Sequence, residues 1–494
     1  MLERGRVLKF RKIILIVFIV LVGASLIYAL VDKRKVTTSS DKAYQAYLKG
    51  EDLCYRLYLA EALEEFESAF KLDPAFAMAY YQAAVLYKGF DRKDDYQQAR
   101  TKALSLLDRV KEKERIIINL GLARADENRV EMERFSGQLL DKYSDTFEAH
   151  EYSSGMAFFR NDFDKAIEEN LMILKLNPNH APSYNLLGYS YYYKGEYDKA
   201  LEYIDKYSSL AQEQANPHDS HGEILLNLGR YDEALVQFRM ADSIKPGLYF
   251  VVAHIADTYR AKGMYRDAIG AYLKARELSL NEDMKTEIDG DIALCYLESD
   301  QYDKALALLK EVVARKPDDL KANAILGGTL AENGDMDNAL VQLGIVKGII
   351  ARRQDSMLPE SKEGISIKSA EYYLCGTVGL YRNDYKTALD NLGKLYTDNM
   401  PPDKIFFAGL FGEALIAAQK SDSAVTILNS ALRENPNCEI CLKFLARAYG
   451  ELGQYESQKN VLTRYLEVMK NADEGLSSVR NASASLEQIN RRNL

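Results

Sequence analysis

Two hydropathy patterns divide the chain. Residues 13–31, "IILIVFIVLVGASLIYALV", form one apolar run without a charge. From Ala43 to Val468 the pattern changes: apolar residues recur at the spacing of one helix face, in short stretches that predict amphipathic helices. The stretches come in pairs joined by short polar turns, as in "KGEYDKA" (194–200), "LGRYDEA" (228–234), "KGMYRDA" (262–268), "NGDMDNA" (333–339) and "RNDYKTA" (382–388). Glycine or asparagine at the turn permits the left-handed backbone that closes the first helix of a pair. Proline then separates one pair from the next, because a helix interior needs the donor it lacks.

One ruler fits the whole body. Gly222, Ala234 and Pro246 lie twelve apart, and so do Gly50, Ala62 and Pro74, and Gly412, Ala424 and Pro436. Ala166, Ala200, Ala234 and Ala268 follow one another at 34 residues, and Ala305 to Ala339 repeats the interval. A fixed period of this length predicts a repeat array. The small residues let paired helices approach, and a large side chain at Ala234 would wedge them apart. Tyr191, Leu225, Tyr259, Tyr296 and Phe238 are the expected bulky core.

These residues match the tetratricopeptide repeat pattern, and the chain resembles that family from about Ala43 to Val468. Its characteristic alanine stands at Ala62, Ala166, Ala200, Ala234, Ala268, Ala305, Ala339, Ala388 and Ala424; units around Ala99, Gly121 and Gln458 are degenerate. The resemblance implies an all-α superhelical solenoid with a concave face for protein partners. "AYQAYLKG", "RVKEKERIIINLGLA" and the run from Ala181 to Leu235 look like the repeat modules of bacterial membrane-anchored transcription regulators, adenylate cyclases and serine/threonine kinases. Those proteins carry an output domain before their membrane span, whereas only a dozen residues precede the apolar run here. The resemblance therefore implies an interaction or sensing module, and this departure from the plan puts kinase, cyclase or DNA-binding activity in doubt.

The apolar run, Ile13 to Val31, would be about 28 Å long as a helix, close to the hydrocarbon thickness of a bilayer. It exceeds the usual core of a cleaved signal peptide, and "IYALV" fits a cleavage site poorly. Arg4, Arg6, Lys9, Arg11 and Lys12 precede it, so the expected topology is a cytoplasmic tip with the array in the periplasm or otherwise outside the cytoplasm of a bacterial envelope. The predicted organisation is a basic tip (1–12), a transmembrane anchor (13–31), a linker (32–42), a first array (43–351), a loop or hinge (352–368), a second array (369–470) and a polar tail (471–494).

Charge narrows the partners. The chain carries −9 overall, and its first 35 residues hold eight Lys/Arg against Glu3 and Asp32, leaving −15 on the rest. A body this acidic argues against nucleic acid, whose phosphates call for clustered Lys and Arg. Five cysteines do not make a disulfide framework. No phosphate-binding loop, GxGxxG, GxSxG or HExxH occurs, and no enzyme is predicted.

Two constellations invite chemistry. His218 and His221 stand beside Asp219 and Glu223, but their counterparts one period away, Tyr184 and Val252 and then Leu187 and Ile255, are packing positions; a packed, hydrogen-bonded pair is expected, not a metal site. Cys438 and Cys441 form a CxxC at a helix start, where a thiol pKa can fall, so a thiol oxidoreductase is a minor alternative to two small apolar residues.

The remaining candidate is a groove. Asn185, Tyr189, Tyr192 and Tyr193 fall on one helical stripe, continued one period on by Asp219, Glu223, Leu226 and Asn227, and then by Asp257 and Arg260. Aromatic anchors beside acidic and amide groups suit a peptide with apolar and basic side chains. Chaperone-binding members hold a terminal carboxylate with Lys and Asn. The first such position in three successive units is here Asn185, Asp219 and Ala253, so that clamp is not reproduced. The expected function is a membrane-anchored interaction scaffold or assembly factor without a cofactor, with a sensor that signals to a separate output protein as the alternative.

Overall fold

The computed structural model describes residues 36–353, 362–400 and 402–492. The proposed span, Ile13 to Val31, and its basic tip lie outside the described residues. Among those described, no helix is long and apolar enough to cross a membrane. The chain forms two compact units, which divide between Pro217 and His218.

Among the described residues there are 25 α-helices and no strand. The first unit holds α1 (Asp41–Tyr55), α2 (Leu59–Leu72), α3 (Ala77–Gly89), α4 (Lys93–Ser105), α5 (Glu112–Ala125), α6 (Arg129–Tyr143), α7 (Phe147–Phe159), α8 (Phe163–Leu176), α9 (Ala181–Tyr193) and α10 (Tyr197–Leu210). The division falls within α11 (Ala215–Asn227). The second unit continues through α12 (Tyr231–Ile244), α13 (Tyr249–Ala261), α14 (Tyr265–Glu277), α15 (Glu282–Glu298), α16 (Tyr302–Arg315), α17 (Leu320–Glu332) and α18 (Met336–Arg353). It ends with α19 (Lys362–Tyr381), α20 (Tyr385–Thr397), α21 (Asp403–Ala417), α22 (Ser421–Glu434), α23 (Glu439–Glu451), α24 (Tyr455–Val468) and α25 (Ser477–Arg492).

The helices pair as hairpins from α1/α2 to α23/α24, and every hairpin turns on one residue at positive φ. Gly195, Gly229, Gly263, Gly334 and Gly453 occupy that position without steric cost. Asn161, Asn383, Asp91 and Asp300 tolerate it, while Leu57, Glu127 and Gln419 adopt it against the usual preference. Short acidic caps start several second helices: the side chains of Asp162 and Asp384 accept from the backbone N–H of Lys165 and Thr387.

Close approach within a hairpin recurs at one spacing in five of them. A Cβ on Gly50, Gly188, Gly222, Gly376 or Gly412 would lie 2.7, 2.6, 2.5, 2.5 or 2.8 Å from the side chain of Phe66, Ile204, Phe238, Leu392 or Leu428, in each case sixteen residues on. The glycine of the first helix thus makes room for one large side chain of the second. Gly121 shows why its unit looked degenerate. Its sixteenth neighbour is Gly137, and Tyr81 fills the space instead, with its hydroxyl 2.2 Å from where a Cβ would stand.

Two boundaries differ from expectation. The loop predicted over 352–368 is helical at both ends, since α18 runs to Arg353 and α19 begins at Lys362; residues 354–361 lie outside the described set. The polar tail is largely the helix α25. Its sparse apolar residues, Leu476, Val479, Ala482, Leu486 and Ile489, fall on one face and pack on the core, which low overall hydrophobicity conceals.

Candidate functional site: a cavity closed by the last repeats

Within the 218–492 unit the chain returns on itself. The Tyr231 hydroxyl donates to the Asn437 carbonyl at 3.0 Å, and Asn437 Nδ2 donates to the Gly229 carbonyl at 2.9 Å. The Asp473 N–H donates to the Gly263 carbonyl at 3.0 Å, and its carboxylate accepts the Arg266 N–H at 3.0 Å. Ser477 donates to Asp300 through its N–H at 2.9 Å and its hydroxyl at 2.8 Å. Gly229, Gly263 and Asp300 are the left-handed turn residues of three successive hairpins, so the segments flanking α23 and α25 dock on one edge. Apolar packing continues across this closure: Val252, Ala256 and Tyr265 share a cluster with Ile405, Leu442 and Met469. At Gly263 any Cβ would lie 2.4 Å from the methyl of Met469.

A cavity of about 90 Å³ remains beneath the closure. Asn227, Tyr231, Asp257, Arg260 and Glu298 line one side, and Asp403, Phe406, Asn435, Cys438 and Glu439 the other. Arg260 donates to Glu298 from both Nε, at 2.8 Å, and a terminal nitrogen. Burial disfavours the guanidinium charge, but Glu298 more than offsets this and holds the Arg260 pKa well above its ordinary value. The Tyr272 hydroxyl donates to Asp257 at 2.6 Å. Glu439 is the carboxyl without such an arrangement: burial, then the charge of Glu298, push its pKa up to about 7, although Lys443 and Arg260 pull the other way.

The structure thus gathers Asn227, Asp257 and Arg260, which the sequence singled out, with Cys438. Asp219 and Glu223 belong to the same unit but are buried; His254 Nδ1 lies 2.8 Å from Asp219. The tyrosine stripe reads differently. In the 36–217 unit Tyr189, Tyr192 and Tyr193 are buried and Asn185 is half-buried. Tyr193 stacks on Phe163 at 5.1 Å and meets Phe158 edge-on at 5.9 Å, so the end of α9 presents this ring to the preceding hairpin. The three rings expected to anchor a partner in the groove are thus packed in the array, Tyr193 against the preceding hairpin.

The histidines also shift. His218 and His221 are half-buried, and His218 Nδ1 lies 2.9 Å from Gln237 Oε1; the buried histidines are His180 and His254. Among the described residues no group of three or more His, Cys, Asp or Glu could hold a metal ion. Cys438 and Cys441 are free thiols in the core. Cys438 caps α23 by accepting the Cys441 N–H at 3.4 Å, while the Cys441 thiol donates to the Ile405 carbonyl at 3.3 Å. Burial, helped by Cys441, pushes the Cys438 thiol pKa well up, opposite to what a redox nucleophile needs. A helix start alone suggests activation, and desolvation overrides it here.

Sequence reasoning missed Glu298, Asp403 and Glu439. Glu298 ends a first helix of 17 residues where its neighbours have 13, which displaces it from the ruler. Glu439 sits inside the CxxC, a motif whose spacing points to sulfur chemistry and not to a carboxyl.

Helix hairpins stacked at this period define an all-α repeat solenoid. Family models described as tetratricopeptide repeat match residues 181–214 and 296–346, and the chain carries tetratricopeptide repeats. It is similar to tetratricopeptide repeat protein 21B of Xenopus laevis, with 27% identity over 203 residues, covering 37% of this chain and 15% of the relative. It is also similar to a TPR repeat-containing protein of Methanocaldococcus jannaschii, with 23% identity over 334 residues, covering 63% of this chain and 55% of the relative. Both relatives are therefore much longer than the part this chain spans. Among solved structures, the APC/C hetero-tetramer Cut9–Hcn1 aligns with 17% identity and a TM-score of 0.47, covering 82% of this chain and 76% of that one.

Proposed function

We propose that this chain is a protein-interaction scaffold, tethered to a bacterial membrane by Ile13 to Val31, with its repeat array outside the cytoplasm. The tether and its direction rest on the apolar run and the basic residues before it. The observation that carries the interaction reading is the repeat array itself, whose stacked hairpins provide extended surface and, at the cavity, binding groups without an activated nucleophile.

Asn227, Asp257, Arg260 and Glu298 are the proposed contact residues, while Asp219 and Glu223 are buried in the same unit. Four carboxyls against one arginine favour a partner that inserts a basic side chain, and the rings of Tyr231 and Phe406 can cover its aliphatic stem. Photocrosslinking in native membranes from a probe at Asn227, compared with the same probe in an Asp257→Asn variant of unchanged helicity, tests this. A defined adduct that the variant loses supports the reading, and an adduct unaffected by the variant moves the partner surface elsewhere. Alkaline extraction of the chain with and without residues 13–31 tests the tether.

A further inference from the structure

We propose that the closure of the 218–492 unit is a proton-controlled latch: docking of the last repeats carries Glu439 of α23 into the cavity that Glu298 of α15 also lines, so protonation of Glu439 tightens the closure and its ionisation loosens it. The geometry supplies the conflict. Glu298 is bound by Arg260 through two nitrogens, so that guanidinium is already engaged when Glu439 arrives, and Lys443 on Glu439's own helix offsets the added charge only in part. Asp257 and Asp403 line the same cavity. From its own helix Glu439 faces Lys443 and the Cys438 thiol, from α14 Tyr265, and from α24 Tyr465. In an open array Glu439 would sit in the first turn of a solvated helix, where a carboxylate is favoured. Docking reverses that preference.

The joint is also of the right strength to be moved. It is held by side chains and single backbone bonds at Gly229, Gly263 and Asp300, with no helix running through it. A carboxyl whose pKa is about 7 when closed and 4.5 when solvated makes the closed form bind more protons between those values. Closure is therefore strongest below the solvated value and weakens as pH rises through the closed one. Between pH 5.5 and pH 8 the ceiling on this change is about 30-fold in the closing equilibrium, and about tenfold is expected after relaxation.

The latch bonds provide their own probe. The N–H groups of Arg266, Asp473 and Ser477 are bonded across the closure, so amide hydrogen exchange on the full chain reads its opening. After correction for intrinsic exchange, their protection should fall about tenfold from pH 5.5 to pH 8, while amides within α17 keep theirs. Glu439→Gln should hold the protection high and level with pH, and Asn437→Ala should lower it at both values. Protection that is level with pH in the unaltered chain, or that falls equally in Glu439→Gln, would overturn the proposal. No partner is involved, so the result stands apart from the scaffold reading.

Discussion

Replacing Gly222 by alanine should destabilise the second unit even though alanine favours helices. A Cβ built there lies 2.5, 2.7 and 2.9 Å from Cε1, Cδ1 and Cζ of Phe238. Carbon atoms prefer about 3.5 to 4 Å, so the ring has to retreat by about 1 Å. Phe238 is fully buried and cannot do so without displacing its own neighbours. Overpacking costs about 1–3 kcal/mol, against a helix gain from glycine to alanine of about 1 kcal/mol. A net loss of about 1 kcal/mol follows. Gly344 is the control, because a Cβ on it meets nothing within 4 Å, and Gly344→Ala should gain about 0.5–1 kcal/mol. Urea unfolding of the full chain followed by circular dichroism, with hydrogen exchange across α11 and α12 to localise the effect, separates the two. Should Gly222→Ala raise the midpoint as Gly344→Ala does, the pairing of glycine with a large residue sixteen positions on does not control the hairpin spacing.

Gln419 is exposed and holds a left-handed turn at φ 59°, so Gln419→Gly should stabilise the α21/α22 hairpin by up to about 1 kcal/mol, visible as slower exchange there. Tyr193→Ala should cost about 3–5 kcal/mol in the first unit by removing a ring stacked on Phe163, read as a lower unfolding midpoint; an unchanged midpoint would return Tyr193 to the list of surface anchors. Cys438 and Cys441 should resist a thiol reagent at pH 7.5 until denaturant is added, since both are buried and the Cys438 thiol is held protonated. Fast reaction in the folded chain would reopen the redox reading.

The repeat was legible because each hairpin restates it: the fixed interval at Ala200, Ala234 and Ala268 places a fully buried alanine in every case. Spacing also locates the turn at Asp300, five residues before Ala305 as Gly195 is before Ala200, whereas Asp91 lies eight before Ala99 and falls off that ruler. The unit at Gly121 was obscured because its filler, Tyr81, comes from the preceding hairpin. Closure left no local trace. Tyr231 and Asn437 are 206 residues apart, and their meeting depends on small rotations summed over the intervening hairpins, which no single period records. The candidate site inherits that limit: Asp257 and Arg260 were recognisable from their stripe, whereas Glu298 and Glu439 became neighbours only through the closure.

A distance across the closure tests it most directly. Arg266 and Lys470 are exposed on opposite sides of the joint, and the native cysteines are buried or half-buried, which favours spin-labelling of an Arg266→Cys/Lys470→Cys variant at those two sites. Pulsed dipolar spectroscopy at pH 5.5 should give one narrow distribution at the short limit of the method. A broad distribution centred at long distance would mean that the last repeats do not return to Gly229, Gly263 and Asp300, and that the cavity does not form.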